Sequence, residues 1–130
     1  AAKIAQLMEN HPYFVQQLAQ QTWLVTKKTC TDKDITKAVE ILWNHNAILF
    51  QRETDNLTNS QINFLRAMCH DVKQFSSAET IVNYKLGTSA NVIRIKEALE
   101  NKEIIDTINP IPEFMDPLFK TWMTKIYFKP

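Results

Sequence analysis

Three histidines, two cysteines and a single glycine bound the chemistry open to this 130-residue chain. His11, His45 and His70 share no helical i, i+4 spacing, and Cys30 and Cys69 lie 39 positions apart with no CxxC pair. No His/Cys set has the spacing of zinc ligands, so no metal site is expected. The two thiols fit reduced core residues. No nucleophile–base spacing stands out, and no pair of acids sits in an apolar setting for proton transfer. The one glycine, Gly87, excludes more. A Walker-type phosphate loop needs two glycines and a lysine, and a dinucleotide fingerprint needs three glycines. No catalytic site is expected, and the chain by itself is expected not to be an enzyme.

Other residue types suit recognition. Asn91, Arg94, Lys96, Glu97 and Glu100 are the expected exposed positions of one helical stretch. Asn and Arg can pair with base edges in a major groove. Lys73, Lys85 and Lys102 can meet phosphates. Against a nucleic-acid partner stand the two glutamates and the turn Asn109-Pro110-Ile111-Pro112, which has no Arg or Lys. Charge is also balanced: 15 basic against 14 acidic residues, for a net +1. Residues 1–56 carry 6 of each sign, and the rest carries 9 basic and 8 acidic. A polyanion is bound mainly through phosphate neutralisation, so this balance favours protein contacts over DNA.

The elements that must hold these residues are mostly helical. Ile4, Leu7 and Met8 follow the helical period in a first short stretch. Asn10 or His11 then caps, and Pro12 starts, a helix to about residue 26 that ends on Lys27-Lys28. Phe14, Leu18, Trp23 and Val25 are its apolar positions. Thr31 caps a third helix from about residue 32 to 50, with Ile35, Ala38, Val39, Leu42 and Trp43 as its stripe and Ile48, Leu49 and Phe50 continuing it. The polar stretch 51–56 is the expected boundary.

A second block begins with Thr58-Asn59-Ser60-Gln61, the spacing of a capping box before the face Ile62, Leu65, Met68 and Cys69. Ser76-Ser77-Ala78-Glu79 repeats that spacing for a short helix ending near Tyr84. Gly87-Thr88-Ser89 supplies a turn and cap for the next helix, with Val92, Ile95 and Leu99 inward. Residues 103–108 and 113–115 suit a short β-hairpin, and Asp116-Pro117 starts a last helix with Leu118, Phe119, Trp122, Met123 and Ile126 inward. Three helices, a hairpin and a helix make the winged helix-turn-helix order. The expected fold is mainly α, with domains at 1–56 (helical, lid-like) and 57–130 (winged helix). Trp23, Trp43, Trp122, Phe119, Tyr127 and Phe128 recur at helical spacing and are expected in packing.

Four stretches in order carry a resemblance. Phe114-Met115-Asp116-Pro117-Leu118-Phe119-Lys120-Thr121-Trp122 resembles the DP-[LF]-F-x-x-W closing signature of prokaryotic AAA+/STAND-type ATPases of the archaeal and Bacteroides group, carried here by Asp116, Pro117, Phe119 and Trp122. Asn10-His11-Pro12-Tyr13-Phe14-Val15-Gln16-Gln17-Leu18 is similar to their lid motif, with Asn10 where glycine is usual. Leu57-Thr58-Asn59-Ser60-Gln61 and Leu86-Gly87-Thr88 resemble the entries to the first and third helices of their winged helix. The resemblance implies a lid remnant plus winged helix without the ATP-hydrolysing core, which would lie upstream. ATP and Mg²⁺ would belong to the parent alone, and none is expected in this fragment. His11 and Pro12 would form one wall of the parent's nucleotide pocket; the same residues also suit a plain helix start.

The start Ala1-Ala2-Lys3 is neither a signal peptide nor an initiator methionine, and no apolar run approaches the ~18 residues of a membrane span. A cytoplasmic fragment of a longer chain is the expectation. Its function would be a regulatory or interaction module, working through protein–protein or intramolecular contacts with the upstream ATPase domain or another protein. Surface uncovered by truncation can drive homodimerisation. The alternative is a DNA-binding winged-helix transcription regulator.

Overall fold

A computed structural model describes residues 2–8, 12–25 and 31–129. The cap at Asn10 or His11, the basic pair Lys27-Lys28 and the thiol of Cys30 lie outside the described residues. The chain divides into two compact units, Ala1–Arg52 and Glu53–Pro130.

The first unit holds α1 (Ala2–Leu7), α2 (Pro12–Val25) and most of α3 (Asp32–Asp55). Thr31 caps α3 as its sequence indicates: Asp34 N donates to Thr31 Oγ1 (3.3 Å), and Thr31 N donates back to Asp34 Oδ2 (3.0 Å). Ile35, Ala38, Val39 and Leu42 are buried. Three of the expectations for these helices need correction. Trp23 is 79% exposed, while Leu18 and Thr22 are buried. One step of about 100° past Thr22 turns the indole outward. Likewise Phe50 is buried but Ile48 and Leu49 are not, because three consecutive residues cannot all face one side of a helix. Finally, α3 runs on through Asp55 instead of stopping at Phe50. Gln51, Arg52 and Glu53 are ordinary helix formers with no glycine or proline among them, and Thr54 is buried.

The second unit continues with α4 (Asn59–Cys69), α5 (Ala78–Asn83), α6 (Ser89–Asn101), β1 (Ile105–Asp106), β2 (Glu113–Phe114) and α7 (Pro117–Trp122), closed by a π-helical turn (Met123–Tyr127). This is a mainly α winged-helix order. The capping box at α4 is complete: Gln61 N donates to Thr58 Oγ1 (3.2 Å) and Thr58 N to Gln61 Oε1 (3.1 Å). Its buried face is Gln61, Phe64, Leu65, Ala67 and Met68. Ile62 and Cys69, expected on that face, are half-buried. The α5 cap is Ser77, one residue later than expected, with Thr80 N donating to its Oγ (3.2 Å). The Ser77 hydroxyl also reaches buried Thr80 Oγ1 (2.9 Å), which Ser76 would not supply.

Val92, Ile95 and Leu99 face inward from α6 as the sequence indicates. Gly87 has φ +89, and an added Cβ would lie 3.2 Å from Asn91 Nδ2. The strands pair antiparallel, Ile105 opposite Phe114 and Asp106 opposite Glu113. Asp116 caps α7 by accepting from Leu118 N (2.9 Å) and Phe119 N (3.3 Å). Phe64 stacks on Phe75 at 4.5 Å, and Phe119 lies between Phe114 and Trp122 at 6.2 and 6.0 Å. Ile126 is half-exposed rather than inward. The π turn, closed by Phe128 N to Met123 O (2.8 Å), shifts the period from i+4 to i+5, so the apolar stripe ends at Met123.

Helices α4, α5 and α6 share one ending. After each, a residue other than glycine takes positive φ: Asp71 (60°), Lys85 (53°) and Glu103 (60°). Paired backbone bonds close each end, for α5 Lys85 N to Val82 O (3.4 Å) and Leu86 N to Ile81 O (3.0 Å). These are Schellman endings, where glycine is usual.

Candidate functional site

Two surfaces of the second unit offer recognition chemistry. The first is α6 with the hairpin. Thr88 starts α6, its Oγ1 accepting from Asn91 N (3.1 Å). Asn91 then turns its amide inward, Nδ2 donating to Leu86 O (2.7 Å). The expectation that Asn91 and Lys96 are exposed is corrected: both are half-buried. Asn91 ties the Gly87 turn to its helix, because an inward carbonyl must find a donor. Lys102 is engaged as well, its Nζ donating to Asn56 O (3.0 Å) and Gln61 Oε1 (3.3 Å). It joins the end of α6 to the start of α4. Arg94, Glu97 and Glu100 are exposed as read, and Glu100 accepts from Thr107 Oγ1 (2.6 Å).

Between these charges stands Ile93, 57% exposed, and in the hairpin Ile108 is 88% exposed. Ile111 is also exposed, and no cation lies between Asp106 and Glu113. Lys73 is exposed in the connection before α5. The family-signature residues Pro117, Phe119 and Trp122 are buried, and Asp116 is a helix cap. They build the fold. Pro12 opens α2, and His11 lies outside the described residues.

The second surface is an open cleft of ≈ 850 Å³ between α4, the end of α5 and the π turn. From α4 come Asn59, Asn63 and Arg66, and from its C-cap His70. Their spacing of four, three and four is one helical stripe, opposite the buried one. Asn83, Tyr84 and Lys85 close the other side, and Tyr127 comes from the π turn. His70 Nδ1 lies 2.8 Å from Tyr84 Oη, tying the ends of α4 and α5 together. Arg66 is held over the Phe128 ring, Cζ 5.1 Å from its centroid, a cation–π contact that orders a long side chain. Among the described residues no carboxylate lines this cleft. Of this group the sequence offered only Lys85 as a binding residue. The stripe on α4 was the available signal for the rest.

Burial pushes the Cys69 thiol up from its ordinary value, outweighing the lowering by a hydrogen bond from Thr124, so the reactive thiolate is suppressed. Among the described residues no group of three or more His, Cys, Asp or Glu could hold a metal. No helix among them is long and apolar enough to cross a membrane.

Three helices, a hairpin and a closing helix around one core define a winged helix, a module that binds DNA or protein. Residues 48–125 match the family described as a probable winged helix domain, and the chain belongs to that family. Searches of curated proteins and of solved structures return no match.

Proposed function

We propose that this chain is the C-terminal interaction module of an AAA+/STAND-type ATPase. Residues 1–56 would be the lid remnant, and 57–130 the winged helix that makes intramolecular or protein–protein contacts. The observation that carries the protein-binding reading is the exposed apolar set on the recognition surface: Ile93 on α6 and Ile108 in the hairpin. Exposed isoleucines suit a protein partner, whereas a duplex would demand cations there. The ATPase parent rests on the four motif resemblances, and ATP and Mg²⁺ would bind the parent's core, not these residues. In that setting nucleotide-driven lid motion reaches the winged helix as a rigid-body shift.

The parent's ATP turnover, measured with and without residues 57–130, tests the regulatory role. A changed turnover is expected, and an unchanged one overturns it. A gel shift with random duplex at low salt tests the alternative of a DNA-binding regulator. A non-specific DNA binder has a Kd of about 10⁻⁶–10⁻⁴ M, so retardation at micromolar protein would move the assignment to DNA.

A further inference from the structure

The cleft between α4, α5 and the π turn shares no residue with α6 or the hairpin. Its chemistry is one-sided. Arg66 and Lys85 bring two fixed positive charges, the amides of Asn59, Asn63 and Asn83 bring neutral donors, and no carboxylate balances them. Elsewhere the second unit mixes signs, as on α6, where Arg94 is followed by Glu97 and Glu100.

Lys85 occupies a positive-φ position at a helix end, as Asp71 and Glu103 do, so glycine at 85 would remove the charge while suiting the turn. The guanidinium of Arg66, ordered by Phe128, loses less freedom when it takes up a ligand than a free arginine would.

The geometry points to this cleft as a binding site for a phosphate monoester, with Arg66 and Lys85 neutralising the dianion and the asparagine amides bonding its oxygens. Three terminal oxygens match a set of many donors and no acceptor carboxylate better than the two of a carboxylate do. The remainder of the cleft, walled by Ile62 and Tyr127, takes the organic body that carries the phosphate. That body is a small molecule or a phosphorylated peptide. The site is independent of what meets α6, so it stands or falls separately from the ATPase assignment.

The test is a titration of the full chain, followed by backbone NMR, with four probes: inorganic phosphate, a phosphoserine heptapeptide, its unphosphorylated counterpart and a 12-nucleotide single strand. Both phosphate probes should bind, with shifts centred on Asn63, Arg66 and Lys85, and the unphosphorylated peptide should not. Lys85→Gly and Arg66→Gln should each weaken binding about tenfold or more, the loss of one charge-assisted hydrogen bond, while Lys37→Ala on α3 leaves it unchanged. Lys85→Gly keeps the fold testable, because its unfolding midpoint should hold or rise. Peptide bound more tightly than free phosphate assigns the carrier to a protein, and equal affinity assigns it to a small ester. Absence of binding by both phosphate probes at millimolar concentration overturns the site. So does an undiminished affinity in Lys85→Gly, or a preference for the oligonucleotide.

Discussion

The recognition surface, on α6 and the hairpin, and the cleft, on α4, α5 and the π turn, lie in one unit but treat charge in opposite ways. On α6 an arginine is followed by two glutamates, and isoleucines are exposed beside them, Ile93 on the helix and Ile108 in the hairpin. In the cleft, cations and amides gather with no acid among them. At the two ends of α6 polar side chains serve the fold: Asn91 holds the Leu86 carbonyl, and Lys102, the C-cap, ties α6 to the start of α4. In the cleft His70 is hydrogen-bonded to Tyr84 and Arg66 rests on Phe128, while Asn63 and Lys85 line the opening. The difference teaches that the helix occupying the DNA-reading position of a winged helix need not carry the most ligand-ready surface of the domain.

Substitutions can break that contrast or sharpen it. The largest effect should come from Phe64→Ala. Phe64 is fully buried and stacks on Phe75, so its loss should cost about 3–5 kcal/mol and abolish both surfaces together in a thermal unfolding scan. If the cleft's ligand binding survived intact, the shared scaffold would be refuted. Gly87→Ala should cost about 1–2 kcal/mol, and hydrogen exchange should locate the damage in α6 while α4 amides stay protected. Equal loss of protection in both helices would show that the two surfaces cannot be separated.

Smaller changes run the other way. Asp71→Gly, Lys85→Gly and Glu103→Gly should each stabilise by about 0.5–1 kcal/mol, the relief of positive φ less the added chain entropy of glycine. Urea midpoints measure this. Only Lys85→Gly should also weaken the cleft, and a matching effect from Glu103→Gly would argue against a charge-specific site. The smallest effect concerns Glu53, whose carboxyl is raised above its ordinary value by burial and then by the nearby Asp116 charge. The folded state therefore holds that proton more tightly than the unfolded chain. The resulting stabilisation is present below the ordinary carboxylate value and fades as pH rises through the raised one. Glu53→Gln should flatten this slope on the alkaline side of the ordinary carboxylate value, read from urea midpoints at each pH.

Much of the second unit was legible because its signals are local. Thr58 with Gln61, Thr88, and Asp116-Pro117 each specify a helix start through the side-chain oxygen and the residues that follow. Val92, Ile95 and Leu99 specify the inner face of α6, and Gly87 specifies its turn. Where competing signals were equally local, the structure chose by tertiary context. Ser77 caps instead of Ser76 because its hydroxyl also meets buried Thr80, and Trp23 is outside because Thr22 took the inward position. The helix ends at Asp71, Lys85 and Glu103 carry no glycine to announce them. The cleft was hidden for a different reason: its walls come from three separated stretches, and only their folding together makes two lysine and arginine side chains into a site.

The π turn at Met123–Tyr127 acts as a counting device. One residue more than an α turn needs is what places Tyr127 beside the cleft, 5.8 Å from Trp122, while Ile126 is left half-exposed. The wall of the cleft is thus encoded by the length of this segment as well as by its residue types. Deleting one residue there, with every side chain around the cleft retained, would rotate the tail by about 100° and exchange the positions of an aromatic and an aliphatic side chain. Chain length would then act as a mutation in its own right, one invisible to any comparison of residue types alone.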